Sequence, residues 1–379
     1  MRAPHRGAPA LLAGTALIGS FALSSPASAG YVVDKLVSDV PGEATFVDSS
    51  LVNAWGMAHS PTSPWWVSDA GTGVSTLYNG QGVKSALVVT VPPAPGGTPP
   101  SSPTGQVFNS SAGFILGNGT KASFIFATEN GTIAAWNGGL GASAVTMVDS
   151  SASGAIYKGL AIGNNASGDF LYAADFHNGK VDVFDTNFAP TNLGGSFTDP
   201  TLPAGYAPFG IQNIGGNIYV TYAKQDALAE DEVAGAGFGY VDAFDADGNL
   251  VRRVASTATL NAPWGLALAP AGFGRFSNDL LVGNFGDGTI NAFDALTDVF
   301  EGQLHGSSGA IAIDGLWGLG FGNGVNAGPA NFLYFAAGID DEAHGLFGDL
   351  RFVPEPSTLA IFGVGLLAVF GLRRRKARI

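Results

Sequence analysis

A short β-strand signal, usually an aromatic residue followed by glycine, returns along this chain at a nearly fixed interval. That interval limits the fold more than any other feature. The clearest copies are Trp55-Gly56, Lys158-Gly159, Phe209-Gly210, Trp264-Gly265 and Trp317-Gly318. Their glycines are 103, 51, 55 and 53 residues apart, so the first gap spans two units. A degenerate copy is expected near Gly105-Gln106-Val107-Phe108. A β-rich period of roughly 50 residues is the mark of a propeller blade. Six periods predict an all-β fold, a six-bladed β-propeller over residues 30–352.

Each unit reads as four strands. The third ends on an aromatic followed by a turn: Tyr78-Asn79-Gly80, Trp136-Asn137-Gly138, Phe184-Asp185, Phe244-Asp245, Phe293-Asp294 and Phe347-Gly348. Asn, Asp and Gly accept the backbone angles of tight hairpins. The last unit has no room for a fourth strand, whereas residues 31–37 form a β-rich run with no blade of their own. The N-terminal strand is therefore expected to complete the sixth blade and remove the open edges. Antiparallel order then sorts the loops. Second-to-third loops and blade connections share one face, which also receives two insertions, residues 92–105 and 223–239. Binding groups on a rigid scaffold concentrate in such loops.

Both ends read as export segments. Arg2 and Arg6 precede an apolar stretch over residues 8–23, and Ala27-Ser28-Ala29 offers the small residues a signal peptidase reads, giving a signal peptide at 1–29. Residues 353–379 are tripartite: Val353-Pro354-Glu355-Pro356-Ser357-Thr358, an apolar run from Leu359 to Leu372, and Arg373 to Lys376. The run has 14 residues, and flanking residues and snorkelling arginines extend it toward the ~20 a bilayer core asks for. It reads as a C-terminal transmembrane sorting helix, inserted transiently with its basic end cytoplasmic.

Between those ends lie 10 Lys and Arg against 29 Asp and Glu, a net charge of −19. Such a surface repels phosphate backbones and anionic lipids, so no nucleic-acid partner is expected. The absence of cysteine excludes disulfides, thiolate metal sites and a cysteine nucleophile. The five histidines lack zinc spacing, and no Gly-x-Ser-x-Gly elbow, P-loop or dinucleotide fingerprint is present.

The insertion-bearing face should collect Asp69, Glu129, Asp175, Asn284, Asp340, Asp341, Glu342 and His344, together with Asp226, Glu230, Asp231 and Glu232 of the second insertion. Converging carboxylates there would suit a Ca²⁺-like hard cation, which takes six to eight oxygens; the alternative is that Asp and Asn cap turns and no cofactor is bound. Residues 338–345 are the densest polar loop and the leading site. Asp245-Ala246-Asp247-Gly248-Asn249 has the glycine too early for an EF-hand and no closing Glu, so it reads as a hairpin. The ring aromatics read either as packing wedged between blades or as a stacking surface for a flat ligand such as a sugar.

The tail around Pro354, Glu355 and Pro356 resembles the PEP-CTERM sorting signal of Gram-negative bacteria. That resemblance implies recognition by an exosortase and delivery from the inner membrane to the cell surface or exterior. The repeat pattern is similar to propellers of the NHL and gluconolactonase types, in which an Asn-Gly or Asp-Gly pair often ligates a central Ca²⁺. Here the residues before the key glycines are not hard-cation ligands. Tyr222-Ala223-Lys224-Gln225-Asp226, Asp314-Gly315-Leu316-Trp317-Gly318-Leu319 and residues 341–348 resemble an uncharacterised family of PEP-CTERM-associated propellers. Two functions stay open. One is a non-catalytic envelope protein binding exopolysaccharide or another envelope protein; the other is a metal-dependent hydrolase or lyase with carboxylates at the channel mouth.

Overall fold

The computed structural model describes residues 30–354. The expected signal peptide, Glu355, Pro356 and the expected sorting helix lie outside the described residues. Among the described residues, apolar runs separated by Gly, Asn and Asp turns fold into six blade sheets, antiparallel except where Phe46–Val47 runs parallel to Gly30–Ser38, and a two-stranded ribbon of His305–Gly306 with Gly309–Ala310. Blade 1 is Ala54–Ala58, Trp65–Asp69, Val74–Tyr78 and Val89–Thr90; blade 2 is Pro103–Phe108, Phe124–Thr128, Thr132–Trp136 and Val145–Asp149. Blade 3 is Tyr157–Asn165, Gly168–Asp175 and Lys180–Phe184. Blade 4 is Tyr206–Ile214, Asn217–Lys224, Tyr240–Phe244 and Leu250–Ser256. Blade 5 is Pro263–Leu268, Asp279–Asn284, Ile290–Asp294 and Phe300–Gln303, and blade 6 opens with Leu316–Phe321, Leu333–Ala337 and Leu346–Val353.

The fourth strand of blade 6 is Gly30–Ser38, antiparallel to Leu346–Val353 with Tyr31 opposite Phe352 and Ser38 opposite Leu346. The N-terminal strand thus joins the C-terminal blade. Tyr31 anchors the clasp: its hydroxyl donates to the Phe273 carbonyl at 2.7 Å, and its ring packs on Phe273, Phe276 and Phe352.

Two details depart from the sequence expectation. Blade 3 has three strands rather than four, because Pro190 has no N–H to extend a ladder and only a bridge from Phe184 to Pro190 forms. In blade 6, Phe347 lies near the start of the third strand rather than its end, because the clasp draws that strand on to Val353.

The core follows from side-chain alternation. In blade 3, Leu171 and Ala173 face blade 2, while Tyr172 and Ala174 face blade 4. Both sheet faces are buried, so strands read as continuous apolar runs and not as apolar–polar alternation. Among the described residues six hydrophobic clusters each join two consecutive blades, and a seventh sits on the axis.

The repeat glycines explain the ring's tightness. A Cβ on Gly56 would meet the Thr104 carbonyl at 2.4 Å, and one on Gly105 the Leu160 nitrogen at 2.3 Å. One on Gly159 would meet Phe209 O at 2.9 Å, on Gly210 Trp264 O at 2.1 Å, on Gly265 Trp317 O at 2.5 Å and on Gly318 Trp55 O at 2.6 Å. Each innermost strand touches the next backbone to backbone, and the circle closes from blade 6 onto blade 1. Gly105 holds the second place with Thr104 before it, as the doubled interval requires.

Candidate functional site

The six residues that precede these glycines share one level near the axis. Trp55 and Trp317 stack at 3.6 Å, and Trp264 stands edge-on to both at 6.2 and 5.9 Å. Phe209 and Phe285 pack on Trp317 at 5.5 and 4.0 Å. The aromatics therefore do not wedge between blades, nor do Trp55, Phe209 and Trp317, all at most 1% exposed, offer a stacking surface. They meet on the axis and plug it, because the glycine contacts bring the strands too close to leave an open bore.

Lys158 occupies the same level in blade 3, and its side chain is 2% exposed. Its ammonium lies 5.2 Å from the Trp55 ring centre and 5.9 Å from that of Phe176, in the range of cation–π attraction. Three carboxylates face it: Glu129 at 2.6 Å, Asp231 at 3.0 Å and Glu232 at 4.0 Å. Burial works to lower the Lys158 pKa, but these carboxylates, Glu129 foremost, more than reverse it, so the ammonium stays charged. Burial pushes the Glu232 carboxyl up to about 7, with Lys158 pulling the other way; at 4.0 Å it is the least compensated of the three. Burial also raises Glu342, whose carboxylate accepts from the Asn53 amide at 2.6 Å.

Loops from different blades build this centre. Glu129 lies in the second-to-third turn of blade 2, Asp231 and Glu232 in the long loop of blade 4, and Glu342 in the blade 6 loop. The blade 4 loop is tied down by the Gln225 amide, which donates to the Phe176 carbonyl at 2.6 Å, and by the Gln225–Glu232 bridge. In the blade 6 loop Asp340, Asp341 and Glu342 all have left-handed backbones, with φ of 59°, 52° and 62°. L-residues pay roughly 1–2 kcal/mol each for that conformation. The Asp340 N–H donates to Asp314 at 2.7 Å and the Asn53 contact holds Glu342, so the strained turn is fastened at both ends.

The predicted residues separate into three groups. Glu129 is part of the Lys158 centre. Asp69, Asp175 and Asn284 end the second strands of blades 1, 3 and 5 and bond backbone and side-chain groups of their own blade or of the connection that leads into it. Asp69 accepts from the Thr76 N–H at 3.1 Å, Asp175 from the Asn178 amide at 2.8 Å, and Asn284 from the Asn261 N–H at 3.1 Å. Burial raises the pKa of both Asp69 and Asp175. Asp226 accepts N–H groups of Leu228 and Glu230, shaping its own loop and holding its pKa down. Asp245 likewise caps a hairpin, accepting from the Asp247 and Asn249 N–H groups at 3.0 and 2.8 Å.

Asp340 and His344 line a separate cavity of about 530 Å³ with Val33, Asp314 and Phe335, beside the clasp. The His344 ring bonds Asp39 at 2.7 Å, which raises its pKa. Asp341 is exposed. Among the described residues no three His, Asp or Glu side chains are grouped to hold a metal ion.

In the sequence Lys158 reads only as a residue that cannot ligate a hard cation. The available signal was its position: a lysine at a ring place otherwise held by Trp, Phe and Thr must bury its charge and needs carboxylates from neighbouring loops.

Comparison with known proteins agrees with this architecture. Residues 352–376 match the PEP-CTERM protein-sorting motif, which implies export, sorting at the membrane or cell surface, and processing by an exosortase. A soluble aldose sugar dehydrogenase of Escherichia coli superposes with a TM-score of 0.52 at 12% identity, covering 85% of this chain and 99% of its own. A structure of unknown function from Bacteroides thetaiotaomicron gives 0.53 at 11% identity, covering 86% and 77%. At such identities the likeness is one of fold alone. An uncharacterized protein of Acanthamoeba polyphaga mimivirus is 34% identical over 329 residues, 84% of this chain and 79% of its own. A second from the same virus is 34% identical over 339 residues, 86% of each. The chain belongs to the family of these uncharacterized mimivirus proteins, and it carries a PEP-CTERM sorting motif at the end of a six-bladed propeller.

Proposed function

We propose that this chain works outside the cytoplasm by binding and not by catalysis, presenting the Lys158 face to cationic groups on an extracellular polysaccharide or another envelope protein. The carrying observation is the charge imbalance at that mouth. One ammonium faces Glu129, Asp231 and Glu232, with Glu342 close by, and the Asp231 side chain is 73% exposed. Lys158 fixes the carboxylates in place, and the excess negative charge is left for a partner. A ready-made array of this kind steers oppositely charged surfaces. The turn-capping roles of Asp69, Asp175 and Asn284 fit a rigid presenting scaffold.

The test is capture of the purified polysaccharide and of the solubilised envelope fraction by residues 30–354, at low and high salt. Asp231→Asn, at a side chain 73% exposed, should weaken capture with the fold intact, and Glu129→Gln with Asp231→Asn should abolish it in samples that urea denaturation shows still folded. Capture that survives the double variant would remove the basis of this reading.

A further inference from the structure

Beyond the glycine ring, on the side away from Lys158, the axis opens into a cavity of about 560 Å³. Every innermost strand contributes to its wall, through Met57, Phe108, Ile162, Gln212, Leu268 and Phe321. We propose that this cavity is a binding site for an uncharged small molecule that offers one hydrogen-bonding group to Gln212. The assignment uses neither the Lys158 face nor the function argued for it.

Size is the first argument. Ligand clefts typically enclose about 300–1,000 Å³ and are mostly apolar, with a few placed polar groups. Charge is the second. No Asp, Glu, Lys or Arg lines the cavity, although the body around it carries 29 acidic and 10 basic residues. A charged ligand entering it would lose hydration and meet no Asp, Glu, Lys or Arg, and the His59 ring nitrogens are already taken by carbonyls, so the wall favours neutral molecules.

The polar side chains of the wall supply the third argument. The Gln106 amide donates to the Gly56 carbonyl at 2.9 Å and also to that of Trp66. The Asn213 amide donates to the Ile162 carbonyl at 2.9 Å. The His59 ring is held between the carbonyls of Ser60 and Phe321, each at 2.9 Å, and bridges blades 1 and 6 at the rim. Gln212 is exposed inside the cavity, and among the described residues nothing engages its amide. A wall that mixes apolar side chains with engaged polar groups and one free amide is a site of defined polarity. The aromatic plug closes its inner end, so a ligand enters and leaves by the outer mouth.

Residues 30–354 contain every blade and the clasp, so this body can be studied by itself. The probe is N-phenylnaphthylamine, a neutral fluorophore, against anilinonaphthalene sulfonate, which has the same aromatic frame with an added charge. The neutral dye should bind saturably at one site, and the sulfonated dye about tenfold or more weakly, since a buried unpaired charge is costly. Gln212→Trp, which fills the cavity from an exposed position, should abolish binding with Tm unchanged. Gln212→Ala leaves the space open and should weaken a ligand that hydrogen-bonds Gln212 by roughly three- to tenfold. Absence of saturable binding, equal binding of the two dyes, or binding indifferent to both variants would each overturn the proposal.

Discussion

Trp55 and Trp317 stack with ring centres 3.6 Å apart across the seam between the first and last blades. Both are at most 1% exposed, so the stack is at once the axial plug and a lock on ring closure. Trp317→Ala should cost about 3–5 kcal/mol, the usual penalty for emptying a buried tryptophan site. A double-mutant cycle with Trp55→Ala, read by urea denaturation, should give a coupling of about 0.5–1.5 kcal/mol beyond area burial. A coupling near zero would show that the two rings touch without energetic consequence.

The glycine ring gives a sharper contrast. Gly210→Ala places a methyl 2.1 Å from the Trp264 carbonyl, whereas Gly138→Ala meets nothing within 4 Å. Overpacking of a rigid contact typically costs 1–3 kcal/mol, so Gly210→Ala should lie at about the top of that range or above, and Gly138→Ala close to wild type. Chemical denaturation of the pair checks this directly. Equal stabilities would mean that the blades can spread.

Lys158 should be needed for stability as well as for charge display. Lys158→Met leaves Glu232 buried without a cation and should cost about 3–5 kcal/mol at neutral pH. Adding Glu232→Gln should recover part of that loss. A second substitution that recovers nothing would argue that the two side chains do not interact.

The pH dependence follows from the raised carboxyls. Glu232, Asp242 and Asp349 each titrate at about 7 in the folded chain, against ordinary values of 4.5 and 3.8, with burial the largest cause. Over the interval from the ordinary values up to about 7 the folded state binds more protons than the unfolded one, so stability falls as pH rises through it. Glu232→Gln should flatten that slope in denaturation curves taken across the interval. A slope unchanged by the substitution would assign the effect to other groups.

Removal of Gly30–Ser38 should leave Leu346–Val353 as a bare edge. Exposed edges template pairing between chains, so the truncated body should associate or aggregate, as seen by light scattering. A monodisperse, cooperatively folding truncation would show that the ring does not depend on the clasp.

Much of this architecture could be read in the sequence because its cause is periodic. Gly56, Gly159, Gly210, Gly265 and Gly318 recur because each innermost strand meets the next one's backbone. Residues 31–37 stood out as a strand without a blade, and their pairing with Leu346–Val353 follows from the missing fourth strand. The Lys158 centre was much less legible. Its carboxylates come from positions 129, 231 and 232, and nothing local marks an acidic loop residue as facing the axis rather than capping a turn. Glu129 and Asp69 look alike in the sequence. Only the loops separate them, one reaching the buried ammonium and the other folding back on Thr76.

The seam also sets an order of events. The segment that opens the described body is the partner of the one that precedes the sorting motif: Ser38 and Gly345, whose side chain and carbonyl bond across the seam, are 307 positions apart. The earliest part of the body to cross the membrane must therefore wait for the latest. The circle cannot shut until the end that carries the sorting motif has arrived, so the ring is complete only when the whole body is present.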